Sequence, residues 1–381
     1  MTVLFFYGTL RHLPLLQQVL GREVTVEPAA LPGHTVARAE AGDWPTLVPL
    51  AGALASGSLM RDVTDSDLER LDFYEGGFGY RLAAQSVRVS DGTTLTALVY
   101  MPPEGQSSAG DWSLDDWRLN WGDVAVATAA DVMMLMGQRS GAEVARRYGL
   151  MQVRGASRLR AATPAPATRR HHAGESDVQV LRHRQSYANF FALEEYDLTY
   201  RRFDGSRSPV INRAVFVSGD AVTVLPYDPA RDRVLLIEQF RAGPMGRGDP
   251  QPWLLEAIAG RIDAGETPEQ AARREAVEEA GLNLGALEFV AGYYPSPGAK
   301  SEYIYSYVAL TDLPDGIEGV FGVEGEAEDI RGHLIGFEAL MSLIASGEVN
   351  NAPLMLTAFW LQRERARLRT PRHGDSDNTS V

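Results

Sequence analysis

The sequence predicts an α+β protein of two domains. Short apolar runs rich in β-branched and aromatic residues recur in both halves of the chain, as in strands of half-buried sheets. Segments with helix-capping signals lie between them. A stretch from Gly155 to Asp177, rich in alanine, proline and basic residues, interrupts both patterns and is typical of a linker. With 381 residues, the chain is long enough to bury more than one core.

The N-terminal half begins with VLFFYGTL, an apolar strand-like run that enters a turn. The signal from Thr64 to Asp67 caps a helix that leads into LDFYEG and Glu75. Further on, Asp123 to Tyr148 is predicted to be helical, with a second piece that begins near Ser140. The turn of the first run consists of Tyr7, Gly8, Thr9 and Leu10.

The C-terminal half alternates β-rich runs with helical patterns, which favours a mixed sheet covered by helices, an α/β/α sandwich. Helices are expected from Phe337 to about Ser346, where Gly347 would stop the first, and from Pro353 to near Arg369. The predicted strands are Val215 to Val217, Ala221 to Leu225, Val234 to Glu238, Leu287 to Tyr293 and Tyr303 to Leu310.

These patterns give a domain plan. We expect an N-terminal domain with a helical extension over residues 1–150, a linker over 151–177, a second domain over 178–369 and a disordered tail over 370–381.

Composition narrows the function. The net charge of −14, without a basic stripe, argues against a nucleic-acid or anionic-membrane partner. The chain contains no cysteine, so disulfides and thiol catalysis are excluded. No apolar run approaches the roughly 20 residues of a membrane span, and VLFF is too short for a signal peptide. A cytoplasmic location is therefore expected.

One predicted helix carries the chemistry. Thr267 supplies its cap, and Gly281 its stop. Within it Glu275, Glu278 and Glu279 fall at i, i+3 and i+4, so their carboxylates crowd one face. Such crowding favours bound cations, and oxygen ligands without cysteine indicate Mg²⁺ or Mn²⁺ rather than zinc. The alternative is a solvated acidic helix.

Fixed identities at fixed spacing argue against that alternative. GRIDAGETPEQAARREAVEEAGL, from Gly260 to Leu282, fills the pattern G-x5-E-x7-R-E-U-x-E-E-x-G-U, where U is apolar or small. It closely resembles the Nudix box. The resemblance implies a metal site whose chemistry is hydrolysis of a diphosphate attached to another group, with metals that neutralise charge on the phosphates and lower the pKa of a bound water.

Outside the box the chain resembles the ADP-ribose pyrophosphatase branch, from about Phe190 to Leu368. Pro297, within YYPSPGAKSE, stands where this branch carries a proline, although an ordinary turn would also place one there. PWLLEAIAG matches the branch's lead-in to the box. The resemblance implies that the backbone carbonyl of Ala259 is a metal ligand.

The same resemblance implies roles for the acids. Glu275, Glu279 and Glu328 would hold metal, and Glu278 would assist them. Glu326 would take the proton from the attacking water, because a free loop carboxylate accepts a proton better than one bound to a cation. Its neighbour Glu324 is an alternative base.

Three more residues match positions that bind substrate in this branch. Arg213 and Arg241 would grip the diphosphate and terminal ribose, for which an arginine fork is suited. Phe190 would stack on adenine from the partner subunit of a homodimer formed through the Nudix domain. Alternatively, the two arginines lie on the surface without contacting substrate, and Phe190 packs in the core. Ala214 replaces an acid common in the family, which leaves ribose recognition open.

The implied substrate is a small nucleoside diphosphate. Water would attack ADP-ribose to give AMP and ribose 5-phosphate. The box itself does not choose between ADP-ribose and a nucleoside diphosphate sugar such as GDP-mannose.

From Met1 to about Pro103, YGTL and LERLDFYEGGFGYR resemble the γ-glutamylcyclotransferase-like fold, a mixed β-barrel with helices. The resemblance implies that the backbone N–H groups of Tyr7, Gly8, Thr9 and Leu10 hold the acidic end of a substrate and that Glu75 is a general base. The alternative is an exposed hairpin acid in a binding domain. The domain order also resembles proteins described as tellurite-resistance determinants. Three functions stay open: a pyrophosphatase with an accessory domain, a bifunctional enzyme, and a ligand sensor without turnover.

Overall fold

The computed structural model describes residues 2–163, 165–323, 325 and 328–370. The chain divides into two compact units, Met1–Val217 and Ser218–Val381.

A closed barrel forms the first part of the N-terminal unit. Five strands follow in the order β3-β1-β5-β4-β2, and pairing of β2 with β3 closes the ring. Phe5, Leu59 and Val99 fill its interior. The predicted mixed β-barrel is therefore confirmed. The strands are β1 (Leu4–Phe6), β2 (Glu27–Ala39), β3 (Pro45–Met60), β4 (Arg81–Val89) and β5 (Thr94–Met101), with β6 (Ser108–Asp111) paired to β2.

Helices pack beside the barrel. Thr64 and Asp67 form the predicted reciprocal capping box at the start of α2, and Ser140 caps the predicted second helical piece. A 3₁₀ turn covers Thr9–Arg11, and a π-helical turn covers Arg118–Gly122. The helices are α1 (Leu13–Leu20), α2 (Asp65–Gly76), α3 (Leu114–Trp117), α4 (Asp123–Met134), α5 (Gly141–Ala145) and α6 (Tyr148–Ala161).

The predicted start of the linker, at residue 151 or Gly155, is wrong. Helix α6 continues to Ala161 and buries Met151 and Val153. The arginines of α6 led to the prediction of a linker, because basic residues next to alanine and proline are typical of a solvated segment. Arg154 is instead only 2% exposed.

A three-stranded sheet follows within the same unit, in the order β7-β8-β9. Arg154 of α6 donates from Nη2 to the carbonyl of Asn189 at 2.7 Å. Arg158 bridges Asp131 of α4 and Glu194 of β8. The hydrogen bond of Arg154 and the ion pairs of Arg158 with the buried Asp131 and Glu194 join the sheet to the helices. The start of the second domain at residue 178 stays a prediction. The strands are β7 (Val178–Ala188), β8 (Ala192–Tyr200) and β9 (Ile211–Val217).

The C-terminal unit contains an eight-stranded mixed sheet. Its main path runs β14-β15-β10-β11-β17-β16, with β12 paired to β11 and β13 paired to β10. The four strands predicted in this unit are confirmed. The strands are β10 (Ala221–Asp228), β11 (Arg233–Phe240), β12 (Trp253–Glu256), β13 (Ile258–Arg261), β14 (Ala286–Tyr293), β15 (Ile304–Leu310), β16 (Val320–Phe321) and β17 (Ile330–Gly336).

Helices cover both faces of this sheet. Leu235 and Ile237 share one core with α8, while Val234 and Leu236 share another with α9 and α10, as strand alternation requires. The predicted α/β/α sandwich and its last two helices are thus confirmed. The helices are α7 (Ala242–Arg247), α8 (Pro268–Ala280), α9 (Phe337–Ser346) and α10 (Ala352–Arg369).

The predicted disordered tail from 371 onward lies outside the described residues. Within the described part of the chain, no helix has both the length and the apolar character needed to cross a membrane.

Candidate active site

Helix α8 presents the acids of the predicted metal site. Thr267 and Gln270 form its capping box, and Gly281 ends it in the left-handed conformation at φ 60°. One face of the helix, made of alanines such as Ala272 and Ala276, packs on the sheet without exposure. Small residues bring the helix close to the strands, so the adjoining glutamates lie against the backbone of β13.

Glu279 is the most deeply buried of these acids, with 2% of its surface exposed. Its Oε2 accepts a hydrogen bond from the backbone N–H of Ala259 at 2.9 Å, and Oε1 accepts one from Nε2 of Gln239 at 3.4 Å. Burial raises the pKa of Glu279 to about 8, with repulsion from Glu275 and Glu328 adding to it. The carboxylate is oriented by two donors but not neutralised by them.

Glu275 lies one helical turn away and is also largely buried. Burial raises its pKa to about 7, against the attraction of Arg274 and with repulsion from Glu278 and Glu328. A Cβ atom added to Gly260 would lie 1.8 Å from Oε1 of Glu275. The glycine that opens the box therefore leaves the space that this carboxylate fills.

Arg274 connects the acids of the box. Its Nη1 donates to Glu275 at 2.7 Å and to Glu278 at 2.9 Å, while Nε donates to Glu266 at 2.8 Å. A further bond from Nη2 reaches the carbonyl of Arg261 at 3.0 Å. One guanidinium thus holds the loop before α8 and two glutamates of the helix in fixed positions.

Glu328 approaches from the loop between β16 and β17. Its Oε2 accepts a hydrogen bond from the backbone N–H of Val323 at 3.2 Å. Gly322 has φ 125°, and a Cβ there would lie 2.8 Å from that of Glu328. The ring of Phe321 would lie 3.0 Å from a Cβ on Gly281, so the loop packs against the end of α8. Glu328 contributes to the raised pKa values of both buried box acids.

The predicted base, Glu326, and its alternative, Glu324, lie outside the described residues.

Arg241 acts on Glu279 through its charge. Its Nε donates to Oε2 of Glu256 at 2.7 Å, and its charge acts on Glu279 to lower the pKa. Burial raises the pKa of Glu256 although Arg241 opposes the shift. The Arg241 side chain is 38% exposed, so it can still contact a phosphate.

These residues fit a hard divalent cation by the chemistry of their donors. Three carboxylates repel one another in a largely buried space, and Arg274 contacts only the outer two acids of the helix. Among the described residues no set of three or more His, Asp or Glu side chains is already grouped as a metal site.

A second candidate site lies in the N-terminal unit. A cavity of about 780 Å³ is lined by the predicted turn from Tyr7 to Leu10 and by Glu75. Glu75 stands in the last turn of α2, so its interpretation as an exposed hairpin acid is wrong. Burial raises the pKa of Glu75 to about 7. The buried hydroxyl of Tyr7 has no hydrogen-bond partner among the described residues. A Cβ on Gly8 would lie 2.8 Å from Cγ of Pro45, which makes this turn tight.

Comparison with known proteins connects both sites to families. Residues 217–356 match the model of the NUDIX domain, and residues 4–119 match that of γ-glutamyl cyclotransferase, AIG2-like. The chain is 37% identical over 196 residues to an ADP-ribose pyrophosphatase of Escherichia coli (strain K12), a match that covers 51% of this chain and 93% of that protein. The chain belongs to the Nudix hydrolase family.

Two further relatives carry different names, one an ADP-ribose pyrophosphatase and one a GDP-mannose pyrophosphatase. An ADP-ribose pyrophosphatase of Haemophilus influenzae is 33% identical over 199 residues, 52% of this chain and 91% of that protein. A GDP-mannose pyrophosphatase of Enterobacter sp. (strain 638) is 30% identical over 187 residues, 49% of this chain and 95% of that protein. A solved structure described as an ADP compounds hydrolase is 22% identical, covers 52% of this chain and 100% of that chain, and has a TM-score of 0.41.

The predicted Nudix residues fall in both units. Arg241 lies beside the box acids. Arg213 and Phe190 belong to the N-terminal unit, on β9 and on the turn between β7 and β8. Arg213 is exposed and donates from Nη1 to the carbonyl of Asn212 at 2.8 Å, and Phe190 is 49% exposed. Their roles stay predictions.

Sequence reasoning missed Gln239 and Glu256, which orient Glu279 and Arg241. Neither residue belongs to the box: Glu256 precedes it on β12, and Gln239 comes near it only because β11 pairs with β12 in the sheet. The box pattern did contain Glu266 and Arg274, and the charge pairing of an arginine with nearby acids could have predicted their contact.

Proposed function

We propose that this Nudix hydrolase cleaves the diphosphate of ADP-ribose to AMP and ribose 5-phosphate. The observation that carries the proposal is the acid cluster beside Gly260, in which burial, with repulsion from Glu328, raises the pKa of Glu275 and of Glu279. Relatives named ADP-ribose pyrophosphatase support this substrate, because they match at 37% and 33% identity against 30% and 32% for relatives named GDP-mannose pyrophosphatase.

Mg²⁺ is the proposed cofactor, with Mn²⁺ as a substitute. Glu275, Glu279 and Glu328 would hold it, with the carbonyl of Ala259 and assistance from Glu278. When bound, the ion would neutralise phosphate oxygens and lower the pKa of water. The N–H of Ala259 and the amide of Gln239 fix the direction of the Glu279 carboxylate.

The chain's own residues would perform the remaining steps. Arg241 would grip a phosphate through the part of its guanidinium that Glu256 does not use, and Arg213 is proposed for the same task. Glu326 would accept the proton of the water whose oxygen attacks phosphorus, with Glu324 as the alternative. The bridging P–O bond breaks, and its electron pair leaves with the departing phosphate.

A homodimer through the Nudix domain would complete the binding of adenine. The 49% exposure of Phe190 supports a stacking role in which one subunit serves the other. Mixing Phe190→Ala chains with Glu279→Gln chains tests this role. Recovery of hydrolysis in the mixture is expected, since one of the sites formed would be intact. No recovery after verified subunit exchange would assign Phe190 to its own subunit.

The substrate test compares ADP-ribose with GDP-mannose in the presence of Mg²⁺, with products separated by chromatography. We expect AMP and ribose 5-phosphate, with kcat/KM for ADP-ribose at least about tenfold above that for GDP-mannose. The reverse order would make the protein a pyrophosphatase of nucleoside diphosphate sugars. A cytoplasmic location is part of the proposal.

A second candidate function belongs to the N-terminal cavity, where Glu75 and the turn from Tyr7 to Leu10 share one space. Glu75 would take a proton from the α-amine of a γ-glutamyl substrate as this amine attacks the γ-carbonyl. Loss of all γ-glutamyl turnover in Glu75→Gln is expected. Unchanged turnover would exclude Glu75 as the base.

A further inference from the structure

Aromatic side chains dominate the wall of the N-terminal cavity beyond Glu75. The cavity measures about 780 Å³, within the range of sites that enclose a drug-sized molecule. A γ-glutamyl group bound at the turn would leave much of this volume free. The side chains around the rest include Trp44, Phe78, Trp117, Trp121 and Tyr148.

These rings are held in defined positions. Phe78 packs edge to face against Tyr148, with 5.2 Å between ring centroids, and against Tyr74 at 6.3 Å. Trp44 lies over Gly42, where an added Cβ would be 2.1 Å from the indole. Such preformed aromatic surfaces favour a flat apolar group without a large loss of side-chain entropy.

Two of the rings that line the cavity are also exposed to solvent. Trp44 is 42% exposed and Phe78 is 39% exposed, although both line the cavity. Large aromatic side chains that stay in contact with water are poorly placed for the folded state alone. A ligand that covers them would remove this apolar surface from water.

The charges of the wall restrict the ligand further. Of the described residues that line the cavity, Glu75 and Asp43 are the only charged ones, and both are acidic. A carboxylate on the far part of a ligand would therefore meet repulsion without an arginine, lysine or histidine to pair with it. The part of the ligand that lies away from the turn must lack negative charge.

We propose that the cavity binds γ-glutamyl amides whose amine portion is an aromatic group without negative charge. The inference rests on the second proposed function. The α-nitrogen forms a bond to the γ-carbonyl carbon, and the bond between this carbon and the amide nitrogen breaks. Two protons pass from the α-ammonium group to the leaving nitrogen, with Glu75 as the carrier. The products are 5-oxoproline and an aromatic amine, so the reaction needs no co-reactant.

A set of matched compounds tests the ligand class in the full-length protein. γ-Glutamyl phenethylamide and γ-glutamylphenylalanine differ by one carboxylate, and γ-glutamyl ethylamide lacks the ring. Turnover is followed by release of 5-oxoproline. We expect kcat/KM for the phenethylamide to exceed both others by at least about tenfold. Equal or better use of γ-glutamylphenylalanine, of glutathione or of the monoamide of 1,5-diaminopentane would overturn the inference while leaving cyclotransferase activity in place.

Binding separates this inference from the proposed activity. Calorimetry on the Glu75→Gln chain measures affinity for the same compounds without turnover. A phenethylamide preference of about tenfold in Kd supports the ligand class even where the wild type shows no turnover. Equal affinities for the three compounds would overturn it.

Single substitutions locate the preference in the wall. Trp44→Ala and Phe78→Ala are expected to lower kcat/KM for the phenethylamide several-fold more than kcat/KM for the ethylamide, and so to reduce the preference. Phe203→Ala is the matched control, because this ring is 98% exposed and lies in the same unit outside the cavity. A preference that survives both substitutions unchanged would contradict the role of these rings.

Discussion

A Cβ atom on Gly260 would lie 1.8 Å from Oε1 of Glu275, so strand β13 leaves open the space that a carboxylate of helix α8 fills. The contact explains why the box begins with glycine. The φ of Gly260 is not in the left-handed region, so the requirement is for space rather than for backbone freedom.

Replacement of Gly260 by alanine is therefore expected to displace the Glu275 carboxylate. Hydrolysis of ADP-ribose should fall on the order of 100-fold, as for a displacement of about 1 Å in a catalytic group. Gly246→Ala is the matched control, because nothing lies within 4 Å of a Cβ at that position. Steady-state kinetics with Mg²⁺ measures both variants. Wild-type activity in Gly260→Ala would show that Glu275 need not occupy this space.

Arg274 is expected to stabilise the metal-free protein. Arg274→Met removes a guanidinium that contacts Glu266, Glu275 and Glu278 and leaves their charges to repel one another. We expect the free energy of unfolding of the C-terminal unit to fall by about 1–2 kcal/mol without metal and the deficit to shrink with Mg²⁺. Denaturant unfolding with and without the ion measures this effect. Arg247→Met, at an 83% exposed side chain, is the control. Equal stability of wild type and Arg274→Met in chelator would refute the expectation.

The γ-glutamyl reaction should depend on pH through Glu75. Burial raises the pKa of this carboxyl to about 7, and only its deprotonated form can accept a proton. The rate is expected to rise with pH along a limb centred near 7. A limb near the ordinary value of 4.5, or a flat profile from pH 5 to 9, would contradict this role. The groups whose pKa values respond to Glu75 stay neutral in this range, because all are tyrosines with a pKa raised above 10: Tyr7, Tyr74, Tyr80, Tyr100 and Tyr148.

The stability of the N-terminal unit should depend on Asp67 at low pH. A hydrogen bond from Arg22 and bonds from Thr64 lower the pKa of Asp67 from 3.8 to about 2. A depressed pKa contributes stability that is fully present above pH 4 and is lost as pH falls toward 2. Arg22→Met should cost about 1–2 kcal/mol at pH 7, allowing for the 40% exposure of Arg22, and less at pH 3.

Unfolding of wild type and Arg22→Met at pH 7, 5 and 3 measures the difference. Arg61→Met is the control, because the pair of Arg61 with Glu27 is exposed on both sides and should contribute little. A difference between wild type and Arg22→Met that is constant with pH would assign the effect to packing rather than to charge.

Sequence signals predicted the helix ends, because residues next to one another in the chain determine caps and stops. The capping boxes at Thr64 and Thr267 and the left-handed stops at Gly281 and Gly347 stand where expected. Helix α6 was missed in part, because the arginines that made it resemble a linker are paired with partners far away in sequence. The bond from Arg158 to Glu194 joins residues 36 positions apart.

The same limit applies to the sites. The box predicted Glu275, Glu278 and Glu279 because their spacing on one helix brings them together. Gln239 reaches Glu279 across 40 positions, and only the sheet creates that contact. The aromatic wall of the N-terminal cavity likewise combines strands, loops and helices of the first unit, so no single motif contains it.

Glu279→Gln tests the central claim most directly. The substitution keeps the size of the side chain and removes the charge that the acid cluster would use for metal. Purified wild type, Glu279→Gln and the exposed control Glu269→Gln are incubated with ADP-ribose and Mg²⁺, and AMP is measured by chromatography. We predict AMP from the wild type and Glu269→Gln, and a rate lower by a factor on the order of 1,000 in Glu279→Gln. Equal rates in all three would contradict the assignment of the acid cluster as the active site.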